Sequence, residues 1–230
     1  MKIHGLQKLT LLDYPGKTAC TVFTPGCNLR CPFCHNSSLV THIDDRAEIW
    51  EEEFFAFLTK RRGILDGVCI TGGEPLLQPD IKEFMAKIKG MGFSVKLDTN
   101  GTRPEVLEDI ITSGLADYIA MDIKNSPEKY EKTCGVNTVK MEDIYKSISL
   151  IISSGIDYEF RTTAVVGLHE VSDFYEMAKM IRGAKAYFIQ NFVDSGDTIT
   201  GGFSSFSEND LHKAKAKALE ILENVGLRGI

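Results

Sequence analysis

The sequence predicts an α/β protein, a partial (β/α)6 barrel of the TIM type, formed by a single domain over residues 1–230. Short β-rich segments alternate with longer segments of helical periodicity, and this alternation occurs six times. No linker-like segment or sharp change of composition interrupts it. Polar motifs follow the predicted strands, at the end where barrel enzymes place their chemistry. An open, doubly wound sheet is the alternative, because the same alternation builds it.

Six segments rich in β-branched and apolar residues predict the strands, and the segments between them predict helices. A short extension, residues 1–17, precedes the first strand, and a C-terminal helix covers about 207–224. The predicted strands are 19–24, 67–71, 94–99, 117–122, 158–165 and 186–192. The predicted helices are 48–61, 80–89, 104–112, 141–153, 172–181 and 208–223.

Residues that favour helix ends mark the boundaries of these segments. Pro104 suits a first helical position, and Ser207 with Asp210 resembles a capping box. Glycine, which favours the left-handed conformation that ends a helix, follows five of the helices, at Gly63, Gly90, Gly114, Gly155 and Gly183. Strands separated by helices pair in parallel, because each return to the sheet needs a crossover.

Composition and charge exclude several classes of function. A formal net charge of -6 disfavours nucleic-acid binding, because no basic surplus displaces counterions from phosphates. The basic segment 212–217 is typical of a solvated helix face. No apolar segment approaches the roughly 20 residues of a membrane span, and the N-terminus lacks the apolar core of a leader peptide. We therefore expect a cytoplasmic protein without membrane or nucleic-acid partners.

Three of the six cysteines lie within eight residues, in the segment CNLRCPFC at positions 27–34. Thiolates at this spacing can hold one [4Fe–4S] cluster and leave its fourth iron without a protein ligand. The alternatives are a structural zinc site with His35 as a further ligand, or simply buried thiols. A zinc site usually brings a second pair of ligands from elsewhere in the chain. The remaining cysteines stand singly in the sequence, and we expect them to be ordinary buried or semi-buried residues: Cys20, Cys69 and Cys134.

The cysteine motif, with aromatic Phe33 before its last cysteine, resembles the radical S-adenosylmethionine (SAM) superfamily. Members of this superfamily share a full or partial (β/α) barrel. The resemblance implies a [4Fe–4S] cluster on Cys27, Cys31 and Cys34. It also implies an oxidoreductase that reductively cleaves SAM to methionine and a 5′-deoxyadenosyl radical.

The segment TGGEP, residues 71–75, follows the second predicted strand. Gly72 and Gly73 permit close backbone approach to a ligand, and the carboxylate of Glu74 can accept hydrogen bonds from an ammonium group. Glycine pairs followed by proline also form plain turns. The resemblance implies that this segment holds the amino group of SAM.

Two acidic motifs follow the third and fourth strands: DTNG from position 98 and DIK from position 122. Acidic residues here often only cap turns. The pair is similar to activating enzymes of glycyl radical enzymes, including those of pyruvate formate-lyase. The resemblance implies that Asp98, Thr99, Asp122 and Lys124 bind the cofactor. Asp98 and Asp122 are also expected to share a Na⁺ or K⁺ ion, since facing carboxylates are costly without a cation or proton.

The fifth and sixth strands supply the last candidate residues. Arg161 either extends to solvent or, as the resemblance implies, lies near the SAM carboxylate, and Thr163 on the same strand is counted with it. His169 is more typical of a surface histidine than of a catalytic group. Phe192 stands where activating enzymes carry a histidine, which leaves open how the polar end of SAM is held.

The resemblance extends over nearly the whole chain, from Gly5 to Gln190. The resemblance includes the activating proteins of anaerobic ribonucleoside-triphosphate reductase. It implies that the radical removes hydrogen from a glycine of a glycyl radical enzyme under anaerobic conditions, with flavodoxin or ferredoxin as electron donor. One alternative is a radical SAM enzyme that acts on a small molecule, resembling 7-carboxy-7-deazaguanine synthase. A structural zinc-binding module is the other.

Overall fold

The computed structural model describes residues 1–43, 49–194 and 196–229. Its strands are β1 (Gly5–Thr10), β2 (Ala19–Thr24), β3 (Gly67–Gly72), β4 (Ser94–Thr99), β5 (Tyr118–Asp122), β6 (Asp157–Val166), β7 (Tyr187–Asn191), β8 (Ser204–Ser205) and β9 (Val225–Arg228). Its helices are α1 (Ser37–Val40), α2 (Glu51–Lys60), α3 (Ile81–Gly90), α4 (Pro104–Thr112), α5 (Tyr130–Cys134), α6 (Met141–Ser153), α7 (Asp173–Met180) and α8 (Glu208–Leu219).

The strands form one sheet in the order β1-β2-β3-β4-β5-β6-β7-β9, with β8 paired to β6. From β2 to β7 each strand is parallel to the next one in the chain. A doubly wound sheet would instead reverse its strand order at a switch point. The prediction of a partial (β/α)6 barrel is therefore confirmed, and the doubly wound alternative is wrong.

Two strands at the edges of the sheet were not predicted. β1 pairs antiparallel with β2, inside the segment predicted only as an extension. β9 adds a further parallel strand beside β7, directly after the predicted C-terminal helix. β1 has few apolar residues because much of it faces solvent, and β9 has only four residues with a glycine among them. Neither strand therefore has the alternation that identifies a strand in a sequence.

Helix boundaries differ from the predictions where tertiary contacts intervene. The predicted C-terminal helix ends at Leu219, because the chain must turn to pair Val225 with Tyr187. α2 begins at Glu51, and residue 48, where the prediction starts, lies outside the described residues. Gly90 is still helical, and the left-handed residue after α3 is Gly92, so that cap prediction is wrong. The other four glycines do adopt positive φ.

The two faces of the sheet have opposite polarity. Along β4, Val95 and Leu97 are buried on the helix side, whereas Lys96 and Asp98 point into the barrel, as the period of two requires. The helix side is apolar, with the Phe84 ring stacked on a neighbour from α2. The charged interior lies below the carboxyl ends of the strands, where the site forms. In the described parts of the chain, no helix is long and apolar enough to cross a membrane.

Candidate active site

A cavity at the carboxyl ends of the strands encloses about 950 Å³ of empty space, part of it open to solvent. All thirteen residues that the sequence analysis selected line it: Cys27, Cys31, Phe33, Cys34, Gly72, Gly73, Glu74, Asp98, Thr99, Asp122, Lys124, Arg161 and Thr163. Three polar side chains that it did not select also line the cavity: Asn36, Asn100 and Gln190. Asn36 follows the cysteine motif, Asn100 belongs to the DTNG motif and Gln190 lies near the end of the sixth predicted strand, so their positions are the signal that could have found them.

Backbone contacts fix the cysteine loop, residues 27–34, above the barrel. Gly26 donates to the Leu39 carbonyl at 2.8 Å, and Arg30 donates to the Cys134 carbonyl at 2.9 Å. Gly73 passes so close to Gly26 that any side chain at position 73 would overlap its carbonyl oxygen. The second glycine of the TGGEP segment is therefore required by its contact with the cysteine loop.

The three thiols of the loop have different electrostatic surroundings. Burial raises the pKa of Cys27 to about 12 and also raises the pKa of Cys34. A hydrogen bond from the Cys134 thiol lowers the pKa of Cys31 to about 7, although burial opposes it. Cys134 is buried, as predicted, and it contacts Cys31 because the end of α5 packs against the loop. Cysteine binds metal as a thiolate, so these three thiols must lose their protons when a cluster binds.

The arrangement of donors fits a cluster better than a single ion. Among the residues that the structure describes, no three His, Cys, Asp or Glu side chains surround one point as a single metal ion requires. A cubic cluster instead takes each cysteine on a different iron, so its ligands stand apart. The ring of His35, the ligand suggested for zinc, stacks on Phe192 at 5.1 Å between centroids. The zinc alternative therefore has no support from the geometry.

Glu74 is buried where the loops after β3 and β4 meet. Its carboxylate accepts hydrogen bonds from Leu76 N (3.1 Å), Thr99 Oγ1 (2.8 Å) and Asn100 N (2.7 Å). Burial raises the pKa of Glu74 to about 7, and these three hydrogen bonds oppose the rise. The carboxylate thus ties two strand ends together as well as lining the cavity. Sequence alone could not show this, because two of the three donors, Thr99 and Asn100, come from the end of β4.

Four charged residues line another side of the cavity, and buried Lys96 lies behind them. We call these five residues the charged wall: Lys96, Asp98, Asp122, Lys124 and Arg161. The Arg161 guanidinium lies between the two aspartates, 3.2 Å from Asp98 Oδ2 and 3.0 Å from Asp122 Oδ1. Lys96 also pairs with Asp98, and Lys124 pairs with Asp122 at 3.0 Å. Each carboxylate therefore contacts two protein cations.

This pairing corrects the reason given for a Na⁺ or K⁺ ion. Burial pushes the pKa of Asp98 and Asp122 upward, but Arg161 and the lysines more than offset it and hold both below their usual range. The same carboxylates raise the pKa of Arg161 and Lys124 despite burial. The aspartates do not face one another unpaired, because Arg161 occupies the place assigned to the ion.

His169 and Phe192 are both buried. Val165 N donates to His169 Nδ1 at 3.2 Å, so Nε2 carries the proton and donates to the Lys124 carbonyl at 2.8 Å. Burial lowers the pKa of His169, which keeps the ring neutral. The expectation of a surface histidine is therefore wrong, and His169 holds the backbone of the DIK motif. Phe192 packs against His35 and Phe203 rather than presenting a polar group.

Comparison with known families agrees with this geometry. The sequence profile described as the radical SAM superfamily matches residues 21–181, which is well over half of the chain. The chain therefore belongs to the radical SAM superfamily. Membership implies a [4Fe–4S] cluster and SAM as cofactors.

Two relatives and one solved structure show which radical SAM enzymes this chain is similar to. The chain is 33% identical over 234 residues to a putative glycyl-radical enzyme activating enzyme of Methanocaldococcus jannaschii, covering 99% of this chain and 96% of that protein. It is 30% identical over 156 residues to the pyruvate formate-lyase-activating enzyme of Clostridium pasteurianum, covering 65% and 64% of the two. A crystallised domain of pyruvate-formate lyase-activating enzyme from Bacteroides vulgatus shares the fold, with a TM-score of 0.57 and 18% identity, covering 71% of this chain and 99% of that one.

Proposed function

We propose that this oxidoreductase activates a glycyl radical enzyme, removing a hydrogen atom from the Cα of one glycine in the partner polypeptide. The observation that carries the proposal is the convergence of four separate sequence motifs on one cavity. The relative from Methanocaldococcus jannaschii, similar over nearly its whole length, supports the choice of target. The cluster, when bound, supplies the electron that splits SAM into methionine and the 5′-deoxyadenosyl radical.

In this proposal the cysteine loop holds the cluster through Cys27, Cys31 and Cys34. All three thiols line the cavity at the carboxyl ends of the strands, so a cluster held there would lie next to SAM bound in the same cavity. Phe33 and Leu29, both nearly buried, line the cavity beside the thiols. Apolar walls of this kind exclude water, which would otherwise quench a reactive radical.

The charged wall is proposed to bind the amino-acid end of SAM. It contains three cations and two carboxylates, so one positive charge is in surplus. That surplus complements the carboxylate of SAM without an added ion, and Arg161 is suited to bind it because its planar head presents several donors. Glu74 is proposed to accept hydrogen bonds from the amino group, as a fourth contact beside its three protein donors.

This proposal does not require a monovalent cation shared by Asp98 and Asp122. The basis for that cation was repulsion between the two carboxylates, and Arg161 already relieves that repulsion. We therefore propose that the site binds SAM without depending on Na⁺ or K⁺. Flavodoxin or ferredoxin is proposed as the electron donor, because each delivers single electrons at low potential.

The proposal is tested by anaerobic reconstitution of the protein with iron and sulfide, followed by SAM, a reductant and candidate partners. Anaerobic ribonucleotide reductase and pyruvate formate-lyase are the first partners to try. A glycyl radical signal in the electron paramagnetic resonance spectrum, stoichiometric with 5′-deoxyadenosine, is expected with the correct partner. The Cys31→Ala variant and a partner with the target glycine replaced by alanine are the controls. SAM cleavage without a radical on any glycyl radical enzyme would favour a small-molecule substrate instead.

A further inference from the structure

A second ion pair lies deeper in the barrel, below the charged wall, between a buried carboxylate and a guanidinium that is 34% exposed. The Glu159 carboxylate, 2% exposed, receives both arms of Arg228, with Nη1–Oε1 at 3.0 Å and Nη2–Oε2 at 2.7 Å. Tyr118 also donates to Glu159 Oε2 at 3.2 Å. Glu159 lies on β6, two residues before Arg161, so both side chains point into the barrel.

Arg161 is therefore surrounded by three carboxylates at different distances. Its guanidinium lies 3.2 Å from Asp98 and 3.0 Å from Asp122, but 4.0 Å from Glu159. A buried guanidinium pairs with the carboxylates that are nearest and least satisfied. Arg228 occupies both oxygens of Glu159, which leaves Arg161 to the two aspartates of the charged wall.

Arg228 is held in this position by its own strand and by an aromatic ring. In the register between β7 and β9, Phe188 pairs with Gly226 and Gln190 pairs with Arg228. The Arg228 guanidinium lies 3.7 Å from the centre of the Phe188 ring, a cation–π contact. A side chain at position 226 would overlap that ring. The C-terminal strand thus delivers one cation to a fixed place inside the barrel.

We propose that Arg228 is a positioning residue for SAM binding: by satisfying Glu159, it keeps the Arg161 guanidinium on Asp98 and Asp122. This inference rests on the proposed role of the charged wall in binding SAM. Without Arg228, Glu159 is a buried carboxylate that lacks its bidentate partner, and Arg161 is the neighbouring cation able to replace it. If Arg161 moved toward Glu159, it would lose its contacts with Asp98 and Asp122 at the cavity.

Three variants separate positioning from a simple role in docking β9. Arg228→Met should weaken SAM binding about tenfold, within the range of energetic coupling between remote residues. Glu159→Gln should bind SAM at least as well as the wild type, because Arg161 loses its competitor. The double variant Glu159→Gln/Arg228→Met should recover wild-type affinity, although it lacks the same ion pair. The double variant leaves no buried carboxylate unpaired, so it is expected to fold even if Arg228→Met does not.

Affinity is measured by titrating SAM into the reconstituted protein and following the spectrum of the cluster, with iron content and thermal midpoint recorded for every variant. Lys217→Met is the matched control, because it breaks an exposed ion pair with Glu220 on the preceding helix. A double variant whose affinity is as low as that of Arg228→Met would overturn the inference, as would Glu159→Gln with weakened affinity. Wild-type protein that fails to bind SAM would instead refute the proposed function.

Discussion

The cysteine loop and the charged wall face each other across one cavity, but their polar groups are satisfied in different ways. In the loop, burial raises the pKa of the Cys27 and Cys34 thiols. In the wall, each carboxylate contacts Arg161 and a lysine. The loop carries thiols that must lose protons to become ligands, whereas the wall is already charged and paired.

This difference indicates that the loop, rather than the wall, depends on a bound group for its strongest interactions. The wall is preorganised, because its charges satisfy one another before SAM arrives. The loop gains its strongest interactions only when the cluster binds, since metal-binding free energy also stabilises the ligand conformation. Substitutions in the loop should therefore remove the cluster, and substitutions in the wall should leave the cluster in place and change the affinity for SAM.

The largest effect is expected in the cysteine loop. Alanine at Cys27, Cys31 or Cys34 should abolish assembly of the four-iron cluster and all SAM cleavage, because each thiolate holds a different iron. Iron and sulfide analysis with the visible spectrum measures this. Cys20→Ala and Cys69→Ala are the controls for iron content, since both thiols are buried on strands β2 and β3 rather than in the loop.

Cys134→Ala is the sharper control, because this thiol contacts Cys31 without being an expected ligand. It should retain iron close to the wild-type amount. Iron loss in Cys134→Ala as complete as in Cys31→Ala would show that the ligand assignment is wrong.

The next effect is expected in the charged wall. Arg161→Lys keeps the charge but cannot span Asp98 and Asp122, so one charge-assisted contact worth roughly 1.5–3 kcal/mol is lost. SAM affinity should fall by about ten- to a hundredfold while the cluster content is unchanged. Titration of the cluster spectrum measures both. Arg182→Lys, at an exposed position, is the control, and unchanged affinity in Arg161→Lys would remove Arg161 from the SAM site.

Glu74 predicts a pH dependence of stability. Its pKa is about 7 in the folded protein and about 4.3 unfolded, so between these values the folded state holds a proton that the unfolded state has lost. The free energy of unfolding should therefore fall as pH rises from about 4.5 to 7, by on the order of 3 kcal/mol from this group. Asp98 and Asp122, with lowered pKa values, lose their contribution only at more acidic pH.

The measurement compares thermal midpoints of the wild type and Glu74→Gln from pH 5 to 8, in the same state of cluster loading. Glutamine does not titrate, so the wild type should lose stability relative to the variant as pH rises. A constant difference across this range would mean that Glu74 stays ionised throughout.

The smallest effect concerns monovalent ions. Because Arg161 neutralises both aspartates, exchanging Na⁺, K⁺ and a bulky organic cation at constant ionic strength should leave the rate of SAM cleavage unchanged. Arg161→Met opens the space between the carboxylates, so this variant should become dependent on the ion. Ion dependence in the wild type would restore the shared cation and would mean that Arg161 moves when SAM binds.

Much of the site could be predicted because its residues belong to short segments at strand ends. Once the parallel order from β2 to β7 was inferred, motifs such as Gly72–Glu74 and DIK had to meet at one edge. The contacts that these motifs make with other parts of the chain could not be predicted. Two of the three donors to Glu74 come from the end of β4, and the partner of Cys31 comes from α5, a helix of five residues that the sequence did not predict.

The sequence alone predicted the parallel order of strands, thirteen of the cavity residues and the three candidate cluster ligands, because short motifs at strand ends and thiols within eight residues limit how a chain can present them. Only the tertiary structure decided how the charges pair. Arg161 and Asp98 are 63 positions apart, and Arg228 and Glu159 are 69 apart. Such contacts depend on strand register and on β9 joining the sheet, and a one-residue shift in register would turn every one of these side chains to the opposite face.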